Sequence, residues 1–299
     1  MTMRPVRWGS AARPAYLLLV VLVAVLVGSA MPAFAAQLQL VRTIKTTPFV
    51  GSTLVMKDNE GSAYVPRDNS LWLADDNGRA VFEVDPTTGA LKRKIGRAVF
   101  EAARQLGGGP LAGTYRTRDF ESMAYDEATD SLYVFSGPCC STSVLPTAFR
   151  LKRRGNNGTF KVESYQPLAS GATYTAAGWN GGDGKVYVGK GAVLRTYDYV
   201  TNTAGAGFKI PLLSGITGMD FSSNGTDLYV ATTAETLRRV DWASKTLVSG
   251  WTFDLTAFNV RDSRSVELVN GQFYVADGYD GRPLGDPLRY AVFVFNVLA

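Results

Sequence analysis

Leu71-Trp72-Leu73-Ala74-Asp75 returns four more times along the chain, as Leu132-Tyr133-Val134-Phe135-Ser136, Val186-Tyr187-Val188-Gly189-Lys190, Leu228-Tyr229-Val230-Ala231-Thr232 and Phe273-Tyr274-Val275-Ala276-Asp277. An aromatic stands second in every copy, at successive spacings of 61, 54, 42 and 45 residues. A short apolar run with a fixed aromatic, recurring at such a period, marks a repeat architecture. One unit cannot bury both of its faces, so neighbours must stack.

The surroundings repeat as well. Upstream of each copy lies another apolar stretch, for example Gly61-Ser62-Ala63-Tyr64-Val65 or Gly218-Met219-Asp220-Phe221. Hairpin residues join the two, such as Asn180-Gly181-Gly182-Asp183-Gly184 and Ser222-Ser223-Asn224-Gly225. A third stretch follows, for example Ala80-Val81-Phe82-Glu83-Val84, and then a fourth, such as Leu91-Lys92-Arg93-Lys94-Ile95. Four antiparallel strands per repeat predict an all-β fold, a β-propeller of five four-stranded blades. The last copy lacks a fourth strand. The segment Gln37-Leu38-Gln39-Leu40-Val41-Arg42-Thr43-Ile44 is therefore expected to complete it and close the ring, which removes exposed sheet edges. Five blades of about 53 residues are long against a common ~40–45, so six blades is the alternative. Much of the excess lies in residues 96–118, where Val99, Phe100, Ala103 and Leu106 fall at helical spacing before a glycine run.

Residues 1–35 read as a secretory signal peptide. Arg4, Arg7 and Arg13 precede the apolar run AYLLLVVLVAVLV, and small residues with an Ala33-Phe34-Ala35 site follow. The competing reading is an uncleaved anchor, because the apolar stretch of about 22 residues is just long enough to span a bilayer. Residues 36–299 form the expected propeller domain, secreted or cell-surface. Removing the three leader arginines leaves 28 basic against 26 acidic residues, a net of +2. With so little excess charge and only the short basic runs Lys92-Arg93-Lys94 and Lys152-Arg153-Arg154, a nucleic-acid partner is not expected. An extracellular ligand or protein is.

The chain contains no histidine. This excludes Ser-His-Asp and Cys-His nucleophiles, histidine-bound zinc and a proximal-histidine haem. No nucleotide-binding loop is present: Gly184-Lys185-Val186-Tyr187-Val188-Gly189-Lys190 approaches one, but Gly191 replaces the required hydroxyl residue. Cys139 and Cys140 are adjacent and are the only cysteines. Export would favour their oxidation, with a disulfide between neighbours as the leading option and intermolecular pairing or free thiols as the others.

Registering the copies brings the start of strand one and the end of strand two to one mouth of the channel. The first set is Glu60, Glu121, Thr175, Thr217 and Arg264; the second is Asp75, Ser136, Lys190, Thr232 and Asp277. Nearby loops add Asp76, Asn77, Arg118, Arg261, Asp262 and Asp280. Glu60, Asp75, Glu121 and Asp277 form a candidate metal set of hard oxygens, suited to Ca²⁺ or Mg²⁺. The competing reading pairs Glu60 and Glu121 with Arg264 or Arg118, or has them cap turns. Arg118, Arg264, Lys190 and Asp280 are the candidate ligand-binding residues.

Glu60-Gly61-Ser62-Ala63-Tyr64-Val65 through Leu71-Trp72-Leu73-Ala74-Asp75-Asp76, and Phe120-Glu121-Ser122-Met123-Ala124-Tyr125-Asp126 through Leu132-Tyr133-Val134-Phe135, resemble blades of secreted propellers. The resemblance is to the SdiA-regulated and phytase/esterase-like groups, and more distantly to the NHL and gluconolactonase groups. It covers most of residues 36–299 as a pattern, through short motifs. It implies the fold and a bound Ca²⁺, and it transfers no catalytic residue. The leading functional expectation is a non-catalytic propeller binding a ligand or partner at the channel mouth. The alternative is a Ca²⁺-dependent hydrolase of a lactone or phosphoester, with Glu60 or Glu121 as ligand or base.

Overall fold

The computed structural model describes residues 36–46, 56–78, 80–106, 119–137, 146–153, 155, 158–169 and 171–298. The signal-peptide segment, Arg118 and the Cys139–Cys140 pair lie outside the described residues. Strand β1 (Gln37–Ile44) comes first. Blade one is β2 (Asn59–Val65), β3 (Ser70–Asp75), β4 (Ala80–Val84) and β5 (Leu91–Gly96), followed by helix α1 (Arg97–Leu106). Blade two is β6 (Phe120–Asp126), β7 (Ser131–Ser136), β8 (Thr147–Arg153) and β9 (Phe160–Pro167). Blade three is β10 (Ala176–Asn180), β11 (Lys185–Lys190), β12 (Val193–Asp198) and the short β13 (Thr203–Ala204). Blade four is β14 (Ile216–Phe221), β15 (Asp227–Thr232), β16 (Thr236–Asp241) and β17 (Thr246–Asp254). Blade five is β18 (Ser263–Val269), β19 (Gln272–Asp277) and β20 (Val292–Leu298), with β1 as its outer strand.

There are thus five blades, and the chain closes its own ring. Strand β1 runs antiparallel to β20 from Gln37 opposite Leu298 to Ile44 opposite Val292. Burial explains why the repeat was so legible. Five separate apolar clusters form, each shared by two neighbouring blades. The repeated aromatics Trp72, Tyr133, Tyr187, Tyr229 and Tyr274 are all buried, one per cluster. Trp72 meets Phe160 edge-on at 5.8 Å, Tyr187 meets Trp242 at 4.8 Å and Tyr229 meets Phe273 at 4.7 Å. Strand alternation sends Leu71 and Leu73 toward blade five, and Trp72 and Ala74 toward blade two.

The five inner strands (β2, β6, β10, β14 and β18) pack around the axis, and small residues let them approach. A Cβ on Gly61 would lie 2.7 Å from the Ser122 Cα, and one on Gly218 2.3 Å from the Ser265 Cα. Larger residues there would force the blades apart. The helix adds an apolar anchor rather than a free stripe. Phe100 is fully buried, 4.8 Å from the Phe120 ring and 5.0 Å from the Phe149 ring, whereas Val99 is exposed.

Candidate functional site

The start of the inner strand is irregular in four of the five blades. Register shifts fall between Asn59 and Gly61, Phe120 and Ser122, Ile216 and Gly218, and Ser263 and Ser265. The extra residues are Glu60, Glu121, Thr217 and Arg264, four of the five residues that register assigned to the start of strand one. A bulge leaves its extra residue outside the ladder and re-aims its side chain. The backbone therefore singles out the mouth residues of the sequence repeat.

Three of these side chains meet in one charged cluster. The Arg264 guanidinium donates from Nη1 to Glu60 Oε2 at 2.9 Å and from Nη2 to Asp262 Oδ2 at 2.7 Å. Its Nε is buried and makes no hydrogen bond. Glu121 hydrogen-bonds to Asp119 and senses the charges of Asp76 and Arg264. Asp58 lies beside Glu60 and senses Asp76, Arg264 and Asp262. Gly137 leaves room for two of the acids: a Cβ there would fall 2.3 Å from Asp119 Oδ2 and 2.6 Å from Glu121 Oε1.

Six carboxyls are thus linked in one cluster: Asp58, Glu60, Glu121 and Asp262 interact with Arg264, Asp76 acts on Asp58 and Glu121, and Asp119 bonds Glu121. Among the described residues no ion pair reaches Glu121. Burial, reinforced by the Asp119 charge, pushes its carboxyl up to about 9. Burial, with the Asp76 charge, pushes Asp58 up to about 6. Glu60 is also raised by burial, against the pull of Arg264. Against burial, the Glu60 and Asp262 carboxylates hold Arg264 above the usual arginine value. The mouth therefore contains a carboxyl that keeps its proton at neutral pH and another that has mostly lost it.

Asp75 and Asp277 occupy the mouth end of β3 and β19 but serve the incoming loops. The Asp75 carboxylate accepts backbone N–H bonds from Lys57 and Asp58 at 3.0 Å each and from Gly78 at 2.7 Å. Burial still pushes it up to about 7. Asp277 accepts the Asp262 N–H at 2.9 Å and the Tyr279 N–H at 3.2 Å, and pairs with Arg282 at 2.7 Å. Of the other expected mouth residues, Thr175 and Thr217 line the channel beside Arg264. The Ser136 hydroxyl donates to the Thr147 carbonyl, and that of Thr232 pairs with Thr236. Lys190 and Asp280 are exposed. Among the described residues, no group of three or more acidic side chains is arranged to hold a metal ion.

Asp58 and Asp119 were missed by the register argument. The signal was available: Asp58-Asn59-Glu60, Asp119-Phe120-Glu121 and Asp262-Ser263-Arg264 repeat an aspartate two residues before the bulge.

No protein-family model matches the chain, and no curated protein matches it in sequence. Solved propellers superpose over nearly their whole length. The Myxococcus xanthus glutaminyl cyclase shares 10% identity over 87% of this chain and 96% of its own, with a TM-score of 0.56. The PQQ-bound aldose sugar dehydrogenase of Streptomyces coelicolor shares 9% over 88% and 98%, with a TM-score of 0.49. A luciferin-regenerating enzyme shares 12% over 88% and 95%, also with a TM-score of 0.49. These comparisons go against the leading expectation from sequence, a non-catalytic binding propeller: the Myxococcus xanthus protein, which superposes with a TM-score above 0.5, is an enzyme. At such identities the likeness establishes the fold, and the chemistry of this chain has to come from its own mouth.

Proposed function

We propose that the chain is a propeller enzyme acting at the mouth formed by Asp58, Glu60, Glu121 and Arg264, and that it hydrolyses a neutral lactone or ester. The observation that carries this reading is the set of bulges that brings Glu60, Glu121 and Arg264 to one mouth, with Asp58 and Asp262 beside them; there burial raises Asp58 to about 6 and Glu121 to about 9. Environments that push two titratable groups apart define an acid and a base. Asp58, ionised at neutral pH, takes a proton from the attacking water. Glu121, still protonated, gives its proton to the departing alkoxide oxygen. Asp119 holds the Glu121 carboxyl through their hydrogen bond, and Glu60 and Asp262 fix Arg264. The guanidinium offers positive charge to the tetrahedral oxyanion.

Electrostatics favours a neutral substrate. Even with Glu121 protonated, the acids outnumber the one arginine and repel a phosphoester unless a cation intervenes. Calcium is the second reading, and one feature favours it: the surplus of negative charge at the mouth. Glu60 and Glu121 would be its nearest ligands, but no three of the described acids are set around one point, so Asp58 and Asp76 would have to move toward the ion. It would neutralise the mouth and polarise an anionic substrate. Asp75 and Asp277 would keep their backbone partners. The resemblance to SdiA-regulated and phytase/esterase-like propellers is compatible with either reading.

The proposal extends to location: residues 1–35 export the chain, and the substrate is met outside the cell. N-terminal sequencing of the exported protein tests this, with Ala36 expected as the first residue. Hydrolysis of a neutral lactone, a carboxylic ester and a phosphomonoester, each with and without Ca²⁺, separates the two chemical readings. A glutaminyl peptide belongs in the panel because one solved propeller is a glutaminyl cyclase. Calcium-independent lactone or ester turnover supports the first reading. Phosphomonoester turnover only with Ca²⁺ supports the second.

A further inference from the structure

At the opposite end of the channel, where the inner strands finish, lies a cavity of about 360 Å³. Tyr64, Tyr125, Trp179 and Phe221 form aromatic walls, and Asp220 and Glu267 face it from β14 and β18. No lysine or arginine is among its described lining residues, and exposed Glu127 adds a third acid at the rim. Of these residues only Glu267 also lines the channel that leads to Arg264.

The two inner carboxyls tie neighbouring blades together. Glu267 Oε2 accepts the Tyr64 N–H at 3.0 Å, and its Oε1 accepts the Ser62 hydroxyl at 3.1 Å. Asp220 Oδ2 accepts the Leu268 N–H at 2.7 Å, and its Oδ1 accepts the Phe221 N–H at 2.8 Å. That role needs acceptors, which a neutral amide could supply in part. It does not require two acids against one apolar cavity. Each ionised carboxylate has about four acceptor sites, so lone pairs remain. Burial pushes Asp220 up to about 7, and burial with the Asp220 charge raises Glu267 well above the usual range. The cavity thus combines desolvated acid, aromatic faces and no cation of its own.

We propose that this cavity binds a small organic ammonium ion, seated on the aromatic walls with its charge against Asp220 and Glu267. The volume lies at the lower end of the ~300–1,000 Å³ of small-molecule sites. Aromatic faces and carboxylates are the two groups that attract such a cation, and desolvation strengthens both.

Calorimetry at pH 8 with benzylammonium chloride, and with benzyl alcohol as its neutral counterpart, tests the proposal on the full chain. Benzylammonium binds at one site per chain, and benzyl alcohol at least tenfold more weakly. Glu267→Gln weakens benzylammonium at least tenfold in a protein that melts no lower than wild type at pH 8. Its amide carbonyl can still accept the Tyr64 N–H, and its amide nitrogen can donate to Ser62. Asp220→Asn is a poorer probe, because both Asp220 oxygens accept backbone N–H groups. Trp179→Leu weakens binding several-fold and decides the matter if Glu267→Gln does not fold. Glu121→Gln, at the other mouth, binds as the wild type does. The proposal is overturned if benzylammonium does not bind or if the alcohol binds equally. It is also overturned if Glu267→Gln folds and binds as wild type, or if Glu121→Gln is the variant that loses binding.

Discussion

Glu121→Gln should make the protein more stable, and only above mildly acid pH. The Glu121 carboxyl titrates near 4.5 when exposed and near 9 in the folded chain. Between these values the folded state holds a proton that the unfolded state has released. Stability therefore falls as pH rises from about 4.5 to about 9, and levels off above. At pH 7.5 the shift corresponds to a penalty of about 4 kcal/mol, at ~1.4 kcal/mol per pH unit. Glutamine removes the titration but weakens the hydrogen bond with Asp119, a loss of roughly 1 kcal/mol. With the coupling among the neighbouring acids, a net gain of about 1–3 kcal/mol at pH 8 is expected, and none at pH 4.5. For a domain of this size each kcal/mol is about 2–4 °C in melting temperature. Urea and thermal unfolding of both proteins from pH 4.5 to pH 9 measure this directly. If the variant is no better off at pH 8 than at pH 4.5, Glu121 ionises normally and the acid assigned to the mouth is lost.

Other consequences are independent of that titration. Gly137→Ala would drive a Cβ into the Asp119 and Glu121 carboxylates; a cost of about 1–3 kcal/mol and a severe loss of turnover are expected in melting and rate measurements. Arg282→Ala strips the partner from buried Asp277, and chemical denaturation should register a loss of about 3–5 kcal/mol. Trp72→Ala empties the layer between blades one and two, with an expected loss of about 3–5 kcal/mol by the same method. Deleting residues 36–44 leaves β20 unpaired on one side, and light scattering should show aggregation where the full chain is monodisperse.

The blades were legible because burial forces their pattern. Each second strand is covered on both faces, so Leu71 and Leu73 serve one interface while Trp72 and Ala74 serve the next. No other part of the repeat has so little freedom. Register alone also carried Glu60, Glu121 and Arg264 to one mouth, since equivalent positions in a ring must share a face. The roles of Asp75 and Asp277 were not legible. Their carboxylates answer backbone N–H groups of Lys57, Asp58 and Asp262, and that need is created only when the loops fold. The bulges at Glu60, Glu121, Thr217 and Arg264 are a property of pairing, which the sequence of one strand does not encode. Asp58 and Asp119 could have been found from the repeated aspartate two residues upstream. Asp220 and Glu267 stood out as acids inside apolar inner strands, but only the cavity gives them a shared context.

The central claim is that Asp58 and Glu121 act as base and acid at the mouth. Its most direct test is the pH dependence of kcat/KM on whichever neutral lactone or ester the protein turns over. The account predicts a bell rising through about pH 6 and falling through about pH 9. Asp58→Asn should abolish the acid limb, and Glu121→Gln the alkaline limb, each with at least a hundredfold loss of rate. A flat profile, or variants that turn over as fast as wild type, would contradict it, as would the absence of any turnover across the whole panel with and without Ca²⁺.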